Sequence, residues 1–101
     1  MEVKEIQKII DDWAKENAGY WEPKSMILRL MEEVGELARE VNHEFGQKPR
    51  KPEDGKQDFS DEVGDILFTL ACFANSLGID LEQSFKNVIE KYKTRDKNRH
   101  K

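Results

Sequence analysis

The segment from Phe59 to Leu77 constrains this chain more than any other. Phe59, Val63, Ile66, Leu70, Phe73 and Leu77 recur at helical spacing. Leu67, Phe68, Ala71, Cys72 and Ala74 add apolar surface around most of the remaining circumference. A helix that is apolar nearly all round has to be buried. A chain of 101 residues has few other elements to bury it. A second subunit is the simplest source of cover, so a homo-oligomer is expected.

Three further amphipathic segments flank this one, and no strand is read. Ile6, Ile9, Ile10 and Trp13 mark a first helix over about residues 2–17, closed by Asn17-Ala-Gly19. Pro23 opens a second, whose stripe is Ile27, Leu30, Val34, Leu37 and Val41, with Phe45 and Gly46 at its end near residue 44. Residues 46–57 gather Gly46, Pro49, Pro52 and Gly55 among charges and read as a loop. The third helix starts at about 58–60 and stops at Gly78. Asp80-Leu-Glu-Gln83 resembles a capping box and opens a fourth helix, which carries Leu81, Phe85, Val88, Ile89 and Tyr92. That helix is expected to fray into a basic tail over 94–101. The whole is one all-α domain, residues 1–101.

Charge is unevenly shared. Residues 91–101 hold six Lys/Arg against one Asp, whereas residues 1–90 are strongly acidic. An acidic body repels phosphate backbones and membrane surfaces, which argues against stable nucleic-acid or membrane binding. No apolar run approaches the ~18 residues of a membrane span. Glu2, Lys4 and Glu5 follow Met1 where a secretory signal would be apolar, so a cytoplasmic location is expected. The single Cys72 leaves no intramolecular disulfide and no cysteine-based zinc site, and its apolar setting reads as a core thiol.

The chemistry is carried by a short internal repeat. Residues 32–37 read EEVGEL and residues 61–66 read DEVGDI, each inside a helix. At ~100° per residue, Glu33 and Glu36 lie about 60° and 120° to one side of the Leu30 stripe. Glu62 and Asp65 lie about 40° and 100° to the same side of the Ile66 stripe. If the two helices pack antiparallel, four carboxylates converge beside the seam. Like charges so placed repel, and either protons or a divalent cation must neutralise them. All-oxygen ligands suit Mg²⁺ first, with Mn²⁺ or Ca²⁺ as substitutes, and carboxylate-held Mg²⁺ commonly takes up phosphates. The mid-helix Gly35 and Gly64 read as points where another helix approaches closely.

Blander readings compete. An acid-rich helix edge alone is usually a solvated face. It is the repetition on matching sides of two stripes that favours a site. If it is no site, the chain is a non-catalytic helical interaction module with acidic binding faces. Glu40-x-x-His43 resembles half of a di-iron motif, but the second half is missing. Trp13 and Trp21 are core, interface or base-stacking residues.

EEVGE at 32–36 followed by EVGD at 62–65, with 25 residues between Glu36 and Glu62, resembles the signature of the MazG-like nucleoside triphosphate pyrophosphohydrolases. The resemblance covers about residues 20–96, and the strings LMEEVGELAREVNHEFGQKPRKP and EVGDILFTLACFANSLGIDLEQ are similar to the small single-domain bacterial members. It implies a four-helix-bundle-type fold built from intertwined subunits, as a homodimer or homotetramer. It also implies Mg²⁺-dependent hydrolysis of a (deoxy)nucleoside triphosphate to monophosphate and pyrophosphate, with removal of non-canonical nucleotides as one role. Carried over by motif, Glu33, Glu36, Glu62 and Asp65 would bind the metal. Glu32 would assist, and Glu36 or Glu32 would accept the proton of the attacking water. Lys91 and Arg95 resemble the family's phosphate-binding pair on the last helix. Arg29 stands where some members have a basic residue. Trp21, with Trp13 and Tyr20, falls where members recognise the base, although no characterised specificity is matched.

Overall fold

A computed structural model describes residues 1–46 and 59–99, the side chains of 96–99 excepted. The loop expected after Gly46 lies outside the described residues. Four helices follow in order: α1 (Val3–Glu16), α2 (Pro23–Phe45), α3 (Ser60–Ser76) and α4 (Leu81–Arg99). The described residues contain no strand, so the fold is all-α as the periodicity indicates.

The α2 and α3 helices form an antiparallel hairpin. Thr69 on α3 meets Glu33 on α2, while Glu62, two turns earlier on α3, meets Glu40, two turns later on α2. The Phe45 and Phe59 rings, 6.3 Å apart, close the far end. The α1 helix lies across the C-terminal half of α3, where Ala71 and Ala74 are small enough to let it approach. Ile10, Met26, Ala71 and Cys72 form the buried core, with Ile6, Tyr20, Phe73 and Leu81 packed against it. On α1, Ala14 is buried beside Ile10, whereas Ile9 of the expected stripe faces solvent. On α2, Met26 is the only buried residue. Its stripe of Ile27, Val34 and Val41 stays substantially exposed, because nothing among the described residues covers it.

Both helix ends next to the core turn through left-handed residues. At the end of α3, Gly78 has φ 69°, and the Ile79 amide donates to the Ala74 carbonyl at 2.8 Å, a glycine-stopped terminus. At the end of α1, the Gly19 amide donates to the Ala14 carbonyl at 2.7 Å, and both Ala18 (φ 71°) and Gly19 (φ 84°) are left-handed. An alanine in this region costs about 1 kcal/mol. Ala18→Gly is therefore expected to raise the midpoint of thermal unfolding by several degrees, about 4–8 °C for 1 kcal/mol in a domain this small. Calorimetry of the two proteins checks it, and an unchanged or lower midpoint would mean that Ala18 carries no strain.

A polar network ties α1, the α1–α2 turn, α3 and α4 together. Gln7 Nε2 donates to Asn75 Oδ1 at 2.7 Å and to the Ile79 carbonyl at 2.9 Å, and Gln7 Oε1 accepts the Leu81 amide at 3.0 Å. Asn75 Nδ2 donates to the Gln7 carbonyl at 2.8 Å and to the Tyr20 hydroxyl at 3.0 Å. The Tyr20 hydroxyl in turn donates to Asp11 Oδ1 at 2.8 Å. That bond, then Lys15 at 3.2 Å, holds the Asp11 carboxyl below its ordinary range. A carboxyl lowered on folding stabilises fully at neutral pH, and the contribution is lost as pH falls through the acid range below about 4. Asp11→Asn is expected to flatten the acid limb of the urea midpoint plotted against pH. An acid limb as steep as that of the wild type would place the dependence in other groups.

Asp80 caps α4, its Oδ1 accepting the amides of Glu82 at 3.0 Å and Gln83 at 3.3 Å. The reciprocal half of the capping box is not made, because the Gln83 side chain turns to Asn87 instead. The α4 helix runs to Arg99. Arg95 lies over the Tyr92 ring at 4.6 Å, a cation–π contact one turn apart. The α3 and α4 helices meet at a bend of 104°. Among the described residues no single helix is long and apolar enough to cross a membrane. The radius of gyration is 17.6 Å, against ~13 Å for a compact chain of this length. The protomer is thus an open frame, and Met31 and Phe85 are 69% and 63% exposed.

Candidate active site

The hairpin register decides which acids meet. Glu33 faces α3 and its side chain is only 12% exposed. It accepts the Thr69 hydroxyl at 2.7 Å and lies 3.7 Å from Arg29 Nε. Glu32, one residue earlier, turns outward, with its side chain 67% exposed and 3.8 Å from the same guanidinium. The repeat's two adjacent acids are therefore unequal: a rotation of ~100° puts one in the seam and the other in solvent.

Further along the seam, Glu36 and Glu40 of α2 stand beside Glu62 of α3. The Glu40 carboxyl is pushed above its ordinary value, first by burial, then by the Glu62 charge, by the hydrogen bond it makes to Glu62 when protonated, and by Glu36. Arg39 opposes this only weakly. Glu40 Oε2 and Glu62 Oε2 are both shielded from solvent without a hydrogen-bond partner. Buried oxygens of like charge with no donor between them call for a proton or a cation. This donor set, carboxylate oxygen throughout, fits a hard divalent ion. Among the described residues no three His, Cys, Asp or Glu side chains converge on one point as they stand. A metal here would draw on acids from both helices.

The seam opens into a cleft of about 340 Å³, the size of a small-molecule site. Glu33, Asp65, Thr69 and Arg29 line its polar side. Trp13, Tyr20, Trp21 and Phe68 line its aromatic side, with Trp13 packed edge-on against Phe68 at 5.1 Å. Met26 and Cys72, both buried, form the floor, and burial pushes the Cys72 thiol up, as suits an inert core group. Asn17, at the end of α1, is also in the lining, its amide tied to the Trp13 carbonyl at 2.8 Å. The helical stop that closes α1 thereby shapes the cleft.

Of the site residues expected from sequence, Glu33, Asp65, Arg29 and Trp21 share this cleft, and Glu36 and Glu62 share the adjoining seam. Lys91 and Arg95 do not join them within one chain: they lie on α4, whose sustained packing is with α1. Two participants are additional. Glu40, four residues after Glu36, continues the same helix edge. Thr69, four residues after Asp65, does likewise on α3. Both were detectable from the 3.6-residue period but fall outside the repeat. Tyr20, expected beside Trp21, is held in place by the network around Asn75, for which local sequence carries no signal. Among the described residues no helix approaches Gly35 or Gly64, since a Cβ added at either meets nothing within 4 Å.

The profile of the MazG nucleotide pyrophosphohydrolase domain matches residues 21–100. The chain belongs to the MazG family. It is accordingly an enzyme of the pyrophosphohydrolase class, acting on phosphoric anhydride bonds. The Bacillus subtilis (strain 168) protein YpjD is 47% identical over 98 residues, which span 96% of this chain and 88% of YpjD. The crystal structure of Bacillus subtilis YpjD superposes with a TM-score of 0.80 at 45% identity, covering 91% of this chain and 95% of that one. The crystal structure of the Bacillus-conserved MazG protein, a nucleotide pyrophosphohydrolase, gives a TM-score of 0.80 at 42% identity, covering 97% and 96%. Of the motif acids, Glu33 and Asp65 line the cleft and Glu36 and Glu62 lie along the seam, whereas Glu32 faces solvent.

Proposed function

We propose that this MazG protein hydrolyses a (deoxy)nucleoside triphosphate to the monophosphate and pyrophosphate, with Mg²⁺ or Mn²⁺, as a cytoplasmic homo-oligomer that clears non-canonical nucleotides. One observation carries the reading: within a single chain an all-carboxylate seam opens directly into an aromatic-walled cleft. A nucleoside triphosphate has the matching halves, a flat base and a polyanionic tail that needs cations to approach acids. The large exposed apolar faces of α2, α3 and α4 support the oligomer.

Glu33, Glu36, Glu62 and Asp65 would hold the ion, with Glu40 beside them. Bound Mg²⁺ supplies neutralisation of phosphate charge and a more acidic water. The side chains do the rest. Trp21 and Trp13 hold the base in the cleft by stacking. Arg29, already between Glu32 and Glu33, keeps the acid edge in place. Water attacks the α-phosphorus in line, the bond to the bridging oxygen breaks, and pyrophosphate leaves. Glu36 accepts the proton of the attacking water, because Glu32 is turned to solvent beside Arg29.

The test is pyrophosphate release from a panel of canonical and modified triphosphates, with Mg²⁺ and with chelator, alongside titration calorimetry of the metal. Metal-dependent release with saturable binding is the expected result. Neither release nor binding would overturn the reading and leave an acidic interaction module.

A further inference from the structure

Thr69 is a polar residue in the most apolar helix of the chain, and its hydroxyl is spent on an acid. A threonine inside a helix can turn that proton back to the carbonyl one turn earlier. Thr69 sends it across the seam instead, to Glu33 Oε1 on α2 at 2.7 Å. A hydroxyl has a single proton, so one use excludes the other. Thr69 also stands one turn after Asp65 on the same edge of α3, and both line the cleft with Glu33. The bond therefore ties an acid of α2 to the helix that carries Asp65 and Glu62.

Glu33 has two neighbours that could orient it, and their distances separate them. Arg29 Nε stands at 3.7 Å, beyond hydrogen-bond length, on a side chain that is 56% exposed and also 3.8 Å from Glu32. A contact so loose and so well solvated leaves the carboxylate free to turn. The Thr69 bond is short and charge-assisted, and β-branching holds its donor to few rotamers. Both neighbours address Oε1. The second oxygen, Oε2, makes no hydrogen bond among the described residues. One oxygen of Glu33 is thus held by the protein and the other is open to a cation.

We infer that Thr69 is a positioning residue of the metal centre: by binding one oxygen of Glu33, its hydroxyl presents the other to the cation shared by the α2 and α3 acids. Thr69 acts through Glu33 and does not ligate the ion itself. The inference rests on the reading of the seam as a metal-dependent triphosphate site, and it adds what keeps that site in order before the ion arrives. A carboxylate already oriented loses less freedom on binding, so the ion is held more tightly.

Thr69→Val keeps the shape of the side chain and removes the hydroxyl. Binding of Mg²⁺ and Mn²⁺, read by calorimetry without nucleotide, should weaken about 10-fold or more. Thr69→Ala, which a helix accepts readily, should lose as much. Thr69→Ser keeps the donor and should bind metal like the wild type. In turnover, the Mg²⁺ concentration for half-maximal rate should rise about 10-fold in Thr69→Val, while the rate at saturating Mg²⁺ returns close to that of wild type. A residue that only clamps α2 to α3 gives a different pattern, a lower melting midpoint in chelator with unchanged metal affinity. That pattern overturns the inference, as does a loss of affinity that Thr69→Ser fails to restore. Wild-type protein that takes up no metal overturns the triphosphate reading as well, which tells the two failures apart.

Discussion

Glu36→Gln and Asp65→Asn are each expected to lower pyrophosphate release at least about 100-fold while leaving the fold intact. The two effects separate because the acids are arranged against stability. Glu40 is already above the ordinary carboxylate range because it is buried beside Glu62 and Glu36. Removing a charge from that seam relieves repulsion, so Glu36→Gln in chelator should unfold at or above the wild-type temperature. Mg²⁺ should then raise the wild-type midpoint by more than the variant's, because only the intact set binds it tightly. Release assays and melting curves with and without Mg²⁺ read both halves. Wild-type rates in both variants would show that the seam is not where the chemistry occurs.

The largest loss of stability is expected at Asn75. Its side chain makes three hydrogen bonds, two with Gln7 and one with Tyr20, and so joins α3 to α1 and to the turn before α2. Alanine would remove all three and leave the Gln7 carbonyl and amide short of partners. At ~0.5–1.5 kcal/mol per bond, more where a shielded group is left unpaired, the cost is about 2–4 kcal/mol. In a domain of this size that lowers the thermal midpoint by about 10 °C or more. The Tyr20 ring, a wall of the cleft, would lose its anchor as well. A midpoint within a degree or two of wild type would mean that α1 and α4 are held by apolar packing alone.

The helices were legible because burying one side of a helix imposes a 3.6-residue period, and residues 6–13, 27–41, 63–77 and 81–92 all show it. The stops at Gly19, Gly46 and Gly78 and the cap at Asp80 were legible too, since each solves a local backbone problem. The pairing of acids on two helices followed from the repeated EEVGE and EVGD strings once an antiparallel hairpin was assumed. What could not be read was decided by relations between helices. Local spacing cannot say that Glu33 is tucked against Thr69 while Glu32 is left in solvent, or that Glu40 joins Glu62. It cannot say that Asn75 and Gln7, 68 residues apart, are bonded.

The clearest division concerns the positive charges. Sequence alone determined that an acidic body ends in a helix bearing Lys91 and Arg95, and that the chain carries more apolar surface than it can bury. Only the tertiary structure decided where those cations go. The turn through Gly78 sends α4 off at 104°, and a rigid helix keeps that heading for its whole length. Periodicity specifies which face of a helix is apolar, whereas the direction of the helix is set by a few residues at its corner and by what clamps them.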